Sequence, residues 1–176
     1  TIPAEIYSIP SISFLDLESN MFHGQIFGDE IWNAAESLEV YRVSDNLLSG
    51  SIPEEISQLS KLRQLWIADI DLSGSIPNSI TSLSDLTDFI SYNSGLTGTI
   101  PLNIGLLNSL DYFHVSDNDI HGKIPESIGT LSNLEKLILR DNALTGSIPA
   151  SMADLTMLKE VRFMILPIIP HNHFML

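Results

Sequence analysis

Residues 134–157, LEKLILRDNALTGSIPASMADLTM, contain the pattern that decides the fold of this chain. In this segment an asparagine, a glycine and an Ile-Pro pair stand at fixed places among regularly spaced apolar residues. The Ile-Pro pair returns every 24 residues, and its prolines are Pro53, Pro77, Pro101, Pro125 and Pro149. Leucine keeps the same spacing from Leu38 to Leu158, and glycine keeps it from Gly50 to Gly146. Three residue types that share one period indicate an array of small repeated units.

The alternation inside one unit predicts a short strand. In Leu137-Ile138-Leu139 successive side chains point to opposite faces, so we expect Leu137 and Leu139 inside and Ile138 outside. Strands one unit apart would lie parallel and share one core, because a single unit cannot bury its own apolar face. The chain has 25 Leu and 23 Ile but only 4 Val, as expected where one template repeatedly places the same side-chain shape.

A turn follows each strand, and an asparagine stands there in most units. Its amide can bond to the backbone of its own turn and of the adjacent turn. We therefore expect a structural ladder of side-chain amides, formed by Asn20, Asn46, Asn118 and Asn142. The same place is occupied by Ile70, Ser94 and Leu166, which predicts interruptions of the ladder.

The chain then crosses to the other side of the unit. Gly146 permits a backbone angle that a Cβ would hinder, and Pro149 fixes φ at the crossing. The segments that follow are too short for long helices, which predicts 3-10 turns or single helical turns. The exception is 29–36, where Phe27 replaces the proline and the sequence favours a genuine short helix.

The template LxxLxLxxNxLxGxIPxxΦxxLxx, where Φ is apolar, resembles the plant-type leucine-rich repeat. The resemblance implies an α/β solenoid, a right-handed superhelix with a parallel sheet on its concave face and short 3-10 or helical turns on its convex face. We expect about seven 24-residue units over 1–163, incomplete at both ends, and a non-repeat apolar tail over 164–176. The resemblance implies cysteine-paired caps in extracellular members, so a chain without cysteine is expected to be either an internal piece of a longer protein or the product of an imperfect gene model.

Composition excludes several classes of function. The formal net charge of −14 argues against a nucleic-acid binder, because phosphate backbones need a basic face. The absence of cysteine excludes disulfide staples, thiolate zinc sites and a cysteine nucleophile. His171 and His173 have no partner ligands nearby, so we expect neither a metal site nor a cofactor. No serine nucleophile is poised beside His114, so we expect no enzyme in this chain, although a kinase domain could exist in the full-length protein.

The outward positions of the strands should form the concave face, and we place the ligand there. The candidate ligand-binding residues are the rings of Trp66, Tyr92, Tyr112 and His114, surrounded by Arg42, Asp88, Lys136 and Arg140. Aromatic residues suit any pleated strand, so strand propensity is the alternative explanation for the rings. A column of Asp45, Asp69, Asp117 and Asp141 could attract a basic partner, or it could hold the polar residue that the turn requires.

The resemblance implies a protein or peptide recognition module, the ligand-binding region of a receptor-like protein that acts in signalling. It also implies an extracellular location or the cell-surface side of a membrane protein. The acidic charge favours a basic ligand, and we expect no nucleic acid and no membrane contact within this chain. Two alternatives from the same family remain, which are a secreted inhibitor of cell-wall-degrading enzymes and an ice-binding solenoid.

Overall fold

The structure, a computed structural model, describes residues 1–164. Seven short strands pair in parallel, in chain order, to form one sheet. They are Phe14–Asp16, Val40–Arg42, Gln64–Trp66, Asp88–Ile90, Tyr112–His114, Lys136–Ile138 and Glu160–Arg162. Each residue pairs with its equivalent in the next unit, as Gln64 does with Asp88 and Asp88 with Tyr112. The predicted solenoid with a parallel sheet is confirmed. The expected apolar tail over 164–176 lies, after Met164, outside the described residues, as do Leu166, His171 and His173.

The inward side chains of all units form one continuous core. Leu62, Leu65 and Ile67 are fully buried, and the same positions of the next three units are buried as well. In the last unit Leu158 and Phe163 are only partly buried, and Val161 is 41% exposed. Each such side chain contributes about 1.5–3 kcal/mol on burial. Phe89 and Phe113 replace leucine at one inward position and stack on each other, with ring centroids 5.6 Å apart.

Short 3-10 helices lie on the convex side of the units. They are Ala4–Ser8, Asp29–Ala34, Glu54–Gln58, Asn78–Ser82, Ile104–Leu106, Glu126–Thr130 and Ala150–Asp154. Their backbone bonds span three residues, as in the bond from the N–H of Ile56 to the carbonyl of Pro53. None of the helices within 1–164 is long and apolar enough to span a membrane.

The prediction of a distinct helix over 29–36 is wrong. This segment is a 3-10 helix, Asp29–Ala34, only one residue longer than most of the others. The unit that contains this segment is two residues longer than the others, since Phe14 pairs with Val40. In it Phe27 stacks on Trp32 and lies 5.8 Å from the ring of Tyr41. The Tyr41 hydroxyl donates to the carbonyl of Ile26 at 2.8 Å, so aromatic packing shapes the segment more than helix propensity does.

Narrow second sheets, which the repeat template does not predict, follow the turns. One joins the strands His23–Gln25, Leu47–Gly50 and Asp71–Leu72, and another joins His121–Gly122 and Ala143–Leu144. An isolated bridge between Ser75 and Thr97 continues the pairing between them. These ladders satisfy backbone groups on a second side of each unit and so add to the contact between units.

Asparagine side chains link the turns of neighbouring units. The Nδ2 of Asn118 donates to the carbonyl of Ser91 in the preceding unit at 2.7 Å, and its Oδ1 accepts from the N–H of Leu96 at 2.8 Å. The Nδ2 of Asn142 reaches the carbonyl of Val115 in the same way, also at 2.8 Å. Asn20 donates only within its own unit.

Interruptions of the asparagine ladder were expected at Ile70 and at Ser94, and the structure differs from this expectation at Ser94. Ser94 does not leave its turn without a link, because its Oγ lies 3.0 Å from the carbonyl of Ile67 in the preceding unit. The shorter side chain therefore reaches the carbonyl equivalent to the one that Asn118 bonds. Ile70 has no polar group to contribute and is buried instead, with 6% of its surface exposed.

The residue before each of these turn positions adopts a left-handed backbone conformation. The positions with φ between 49° and 56° are Ser19, Asp45, Asp69, Asn93, Asp117 and Asp141. Aspartate and asparagine tolerate this conformation better than other residues with a Cβ, because their short polar side chains can hydrogen-bond locally. The preference does not depend on charge. Turn geometry therefore accounts for the aspartate column. Within residues 1–164, no three His, Asp or Glu side chains lie close enough together to hold a metal ion.

We predict that Asn118→Ala lowers the free energy of unfolding by about 2–3 kcal/mol, because the N–H groups of Ser94 and Leu96 lose their acceptor. Asn20→Ala is the matched control, because the side chain of Asn20 donates only within its own unit. Its loss should lower the free energy of unfolding by less than about 1 kcal/mol. Urea unfolding measures both. Equal losses in the two variants would contradict the structural role of the inter-unit bonds.

Candidate ligand-binding face

The first half of the concave face is organised around Arg42. Its guanidinium lies 3.8 Å from the ring centroid of Trp66 and 5.7 Å from that of Phe14. Its Nη1 lies 3.5 Å from a carboxylate oxygen of Asp16, and its Nη2 donates to Gln64 at 2.5 Å. Arg42 is thus held by two rings and two polar groups, in contacts that cross three strands.

Asp88 continues this arrangement into the fourth strand. Its Oδ2 accepts from the Nε2 of Gln64 at 3.2 Å and from the hydroxyl of Thr87 at 2.6 Å. The stacking also leaves two nitrogens buried, Nε of Arg42 and Nε1 of Trp66, without a hydrogen-bond partner among residues 1–164. Unpartnered buried donors are costly and therefore uncommon, which marks this part of the surface as unusual.

The second half of the face is organised around His114. Its imidazole stacks on the ring of Tyr92, with centroids 4.7 Å apart, and on the ring of Tyr112, with centroids 5.7 Å apart. The Nδ1 of His114 lies 3.1 Å from the hydroxyl of Tyr112, and its Nε2 lies 2.8 Å from Oγ of Ser116. Both ring nitrogens of the half-buried histidine are therefore occupied by neighbours.

The hydrogen bonds around Ser116 determine the histidine tautomer. The Ser116 hydroxyl donates to Oδ2 of Asp117 at 2.7 Å, so Oγ accepts from Nε2–H of His114. The unprotonated Nδ1 then accepts from Tyr112. This geometry is not that of a catalytic triad, in which the carboxylate would face Nδ1 and the serine would give its proton to the histidine.

Two basic side chains lie beside the His114 rings. The Nζ of Lys136 is 4.9 Å from the ring centroid of Tyr112. Arg140 pairs with Asp117 at 3.6 Å and with Asp141 at 3.2 Å. Burial lowers the pKa of His114 below its ordinary value, and the positive charge of Arg140 lowers it further. The imidazole is therefore neutral at neutral pH.

The structure places the eight candidate residues in two groups rather than one. Trp66 lies with Arg42 and Asp88, whereas Tyr92, Tyr112 and His114 lie with Lys136 and Arg140. Ile90 lies between Trp66 and His114 in register, and only 7% of its surface is exposed. The aromatic side chains predicted as one cluster are divided by this apolar residue.

Exposure of the outward positions was predicted incorrectly at several places. Ile138 is 6% exposed although it points to the concave side, and Ala68 and Ser116 are almost fully buried there. Long neighbouring side chains cover short ones because strands lie only about 4.8 Å apart. The residues that fix the candidates, namely Asp16, Gln64, Thr87 and Ser116, could not be recognised from the sequence, because their contacts depend on side chains of other strands. Asp117 was expected only as part of the aspartate column.

A shallow pocket of about 540 Å³ lies beside the strand ends rather than among the candidate residues. Its lining includes Leu47, Asp69, Ile70 and Gly95. Gly95 has a φ of +77°, and a Cβ there would lie 2.8 Å from the carbonyl oxygen of Leu72. None of the candidate residues lines this pocket, so it does not join the concave face into one cavity.

The comparisons with known proteins agree with this architecture. The family model for the leucine-rich repeat matches residues 109–131 and 133–155. The LRR ectodomain of the plant membrane receptor kinase GASSHO1/SCHENGEN3 from Arabidopsis thaliana, in complex with CASPARIAN STRIP INTEGRITY FACTOR 2, is 30% identical with a TM-score of 0.86. That match covers 92% of this chain and 19% of the ectodomain. The repeat template, the family model and this ectodomain agree on a leucine-rich repeat fold of the plant type for this chain.

Two other solved structures resemble this leucine-rich repeat protein. The Arabidopsis receptor kinase HAESA ectodomain, in complex with an N-terminally extended IDA peptide hormone ligand, has 30% identity and a TM-score of 0.85 over 92% of this chain and 28% of that one. A leucine-rich repeat protein of Leptospira interrogans has 28% identity and a TM-score of 0.79 over 94% and 40%. This chain thus spans 19–40% of the length of these three neighbours. No curated protein sequence matches it.

We predict that His114 makes the leucine-rich repeat array less stable as the pH falls. Because the pKa of His114 is lowered in the folded state, the unfolded chain takes up a proton first, and stability decreases as pH falls through about 6.5. Between about pH 7.5 and about pH 5.5 the wild type should therefore lose more stability than His114→Gln, measured by urea unfolding. Parallel pH profiles of the two proteins would show that burial does not affect this imidazole.

Proposed function

We propose that the concave face binds an extended peptide or protein segment, and that the chain is the ligand-binding region of a receptor-like signalling protein on the extracellular side of a membrane. Two solved plant ectodomains with this fold support the proposal, since each was determined with a bound partner and one partner is a peptide hormone. The remaining support comes from the side chains of the face itself.

The observation that carries the proposal is the fixed arrangement of large side chains before any ligand binds. His114 lies between two rings and bonds through both nitrogens, and Arg42 lies between Phe14 and Trp66. Aromatic and arginine side chains dominate the binding energy of many interfaces. Because these are already ordered, the entropic cost of binding is reduced.

The dimensions of the sheet suit a peptide in extended form. Six spacings separate the first strand, Phe14–Asp16, from the last, Glu160–Arg162, which gives about 29 Å at about 4.8 Å each. An extended chain covers about 3.3 Å per residue, so about nine residues would cross the whole face. A ligand of this length could contact both the Arg42 group and the His114 group.

A displayed library of random peptides of about twelve residues, selected on the wild-type chain, tests the proposal. Peptides recovered in this way should bind the double variant Trp66→Ala/Tyr92→Ala at least about tenfold more weakly than the wild type, because each of the two substitutions removes a large contact surface. Lys61→Ala/Asn108→Ala is the control, since both residues are exposed outside the concave strands. If none of the recovered peptides binds the concave variant more weakly than the wild type, recognition lies elsewhere and the proposal is contradicted.

A further inference from the structure

Charge is unevenly distributed along the concave face. The outward positions of the first four strands and their turns carry five carboxylates and one guanidinium, on Asp16, Glu18, Asp45, Asp69, Asp88 and Arg42. Those of the last three carry three carboxylates and three cations, on Asp117, Asp141, Glu160, Lys136, Arg140 and Arg162. One half of the face is therefore acidic, and the other half is balanced.

In the acidic half the single cation is already paired. Arg42 lies beside Asp16, and no other carboxylate of this half has a cation within 4 Å among residues 1–164. Asp88 is held only by the uncharged groups of Gln64 and Thr87. At the edge of the sheet Arg63 lines shallow pockets together with Glu39 and Asp85, so that edge adds no excess of positive charge.

Two shifted titrations agree with an excess of negative charge. The pKa of Glu18 is raised chiefly by burial, and the charges of Asp16 and Asp45 raise it further against the opposing effects of a hydrogen bond from Ser44 and the charge of Arg42. The pKa of Tyr92 is raised by burial and by the carboxylate of Asp69. A cationic group placed over these strands would therefore meet Asp45, Asp69 and Asp88, which have no cation within 4 Å among residues 1–164.

In the balanced half one cation remains without a carboxylate. Arg140 pairs with Asp117 and Asp141, and Arg162 pairs with Glu160 at 2.6 Å. Lys136 is exposed and has no carboxylate within 4 Å among the described residues, and its ammonium lies over the ring of Tyr112. Among the outward cations of this half within residues 1–164 it is the one without such a pair, although its charge still acts on Asp111 at the edge of the sheet.

Asp88, Tyr112 and Lys136 lie in one row across the sheet. They are equivalent positions in consecutive strands and are paired in register. Two strand spacings of about 4.8 Å put Asp88 and Lys136 roughly 10 Å apart, which an extended peptide covers in about three residues. The ring of Tyr112 lies between them, where an apolar ligand residue would pack.

We infer that the ligand is a dipolar peptide, with a basic residue over Asp88 and an acidic group, about three residues away, at Lys136. The inference rests on the proposed function, because it assigns charge to a ligand of the same face. Opposite charges at a fixed separation would set the position and direction of the peptide on an array whose units otherwise repeat. Charge complementarity of this kind contributes specificity and association rate more than affinity.

Peptides recovered from the displayed library, and dependent on Trp66 and Tyr92, provide the test. They should be enriched in Lys or Arg about three residues from Asp or Glu. Asp88→Asn and Lys136→Gln should each weaken their binding about threefold to tenfold at low salt, and the loss should shrink as salt is raised. Replacing the acidic residue of a peptide should abolish its sensitivity to Lys136→Gln but keep its sensitivity to Asp88→Asn.

The controls separate this inference from the proposed function. Asp154→Asn and Lys61→Gln make the same changes at exposed positions outside the concave strands and should leave affinity unchanged. Peptides that require Trp66 and Tyr92 but bind Asp88→Asn and Lys136→Gln normally would overturn the inference and leave the proposed function standing. If no recovered peptide requires Trp66 or Tyr92, both are overturned.

Discussion

Stacking of each unit on the next, in register, is the constraint on which the rest of the molecule depends. No unit can bury its own inward leucine and isoleucine side chains, so each unit is stable only against its neighbours. The seven parallel strands keep the same residue opposite its equivalent throughout. A change in the length of one unit is tolerated only where the added residues leave the strand in place, as in the longer unit that pairs Phe14 with Val40.

The turns strengthen this stacking through polar contacts. Buried backbone groups need partners, and the amides of Asn46, Asn118 and Asn142 supply them across the boundary between units. The residue before each of these positions adopts a left-handed conformation. This conformation explains the aspartate column without any need for a basic partner. Four of the 22 acidic residues thus follow from backbone geometry, and two of them, Asp45 and Asp69, add to the negative charge of the first half of the concave face.

The sequence was sufficient for the parts of the fold that the period controls. Strand, turn and 3-10 segments recur because one geometry requires the same residue types in every unit, as the buried Leu62, Leu86 and Leu110 illustrate. It was insufficient where side chains of different units meet. The link through Ser94, the stacking of Arg42 on Trp66 and the covering of Ile138 depend on rotamers and on neighbours 24 or more residues away, which no local pattern encodes. The second sheets escaped prediction because several of their strands contain the repeated glycine, as Leu47–Gly50 and His121–Gly122 do, and glycine is uncommon in strands.

The candidate face combines a rigid support with residues that the repeat leaves free to vary. Inward positions are copied from unit to unit, whereas the outward positions differ and carry rings and charges that bond to each other. The central claim is that this face is ordered before a ligand arrives. Measurement of side-chain χ1 coupling constants by NMR in the free protein tests it most directly. We predict a single rotamer for Tyr92, Tyr112 and His114, whereas values averaged over several rotamers would contradict a preformed binding face.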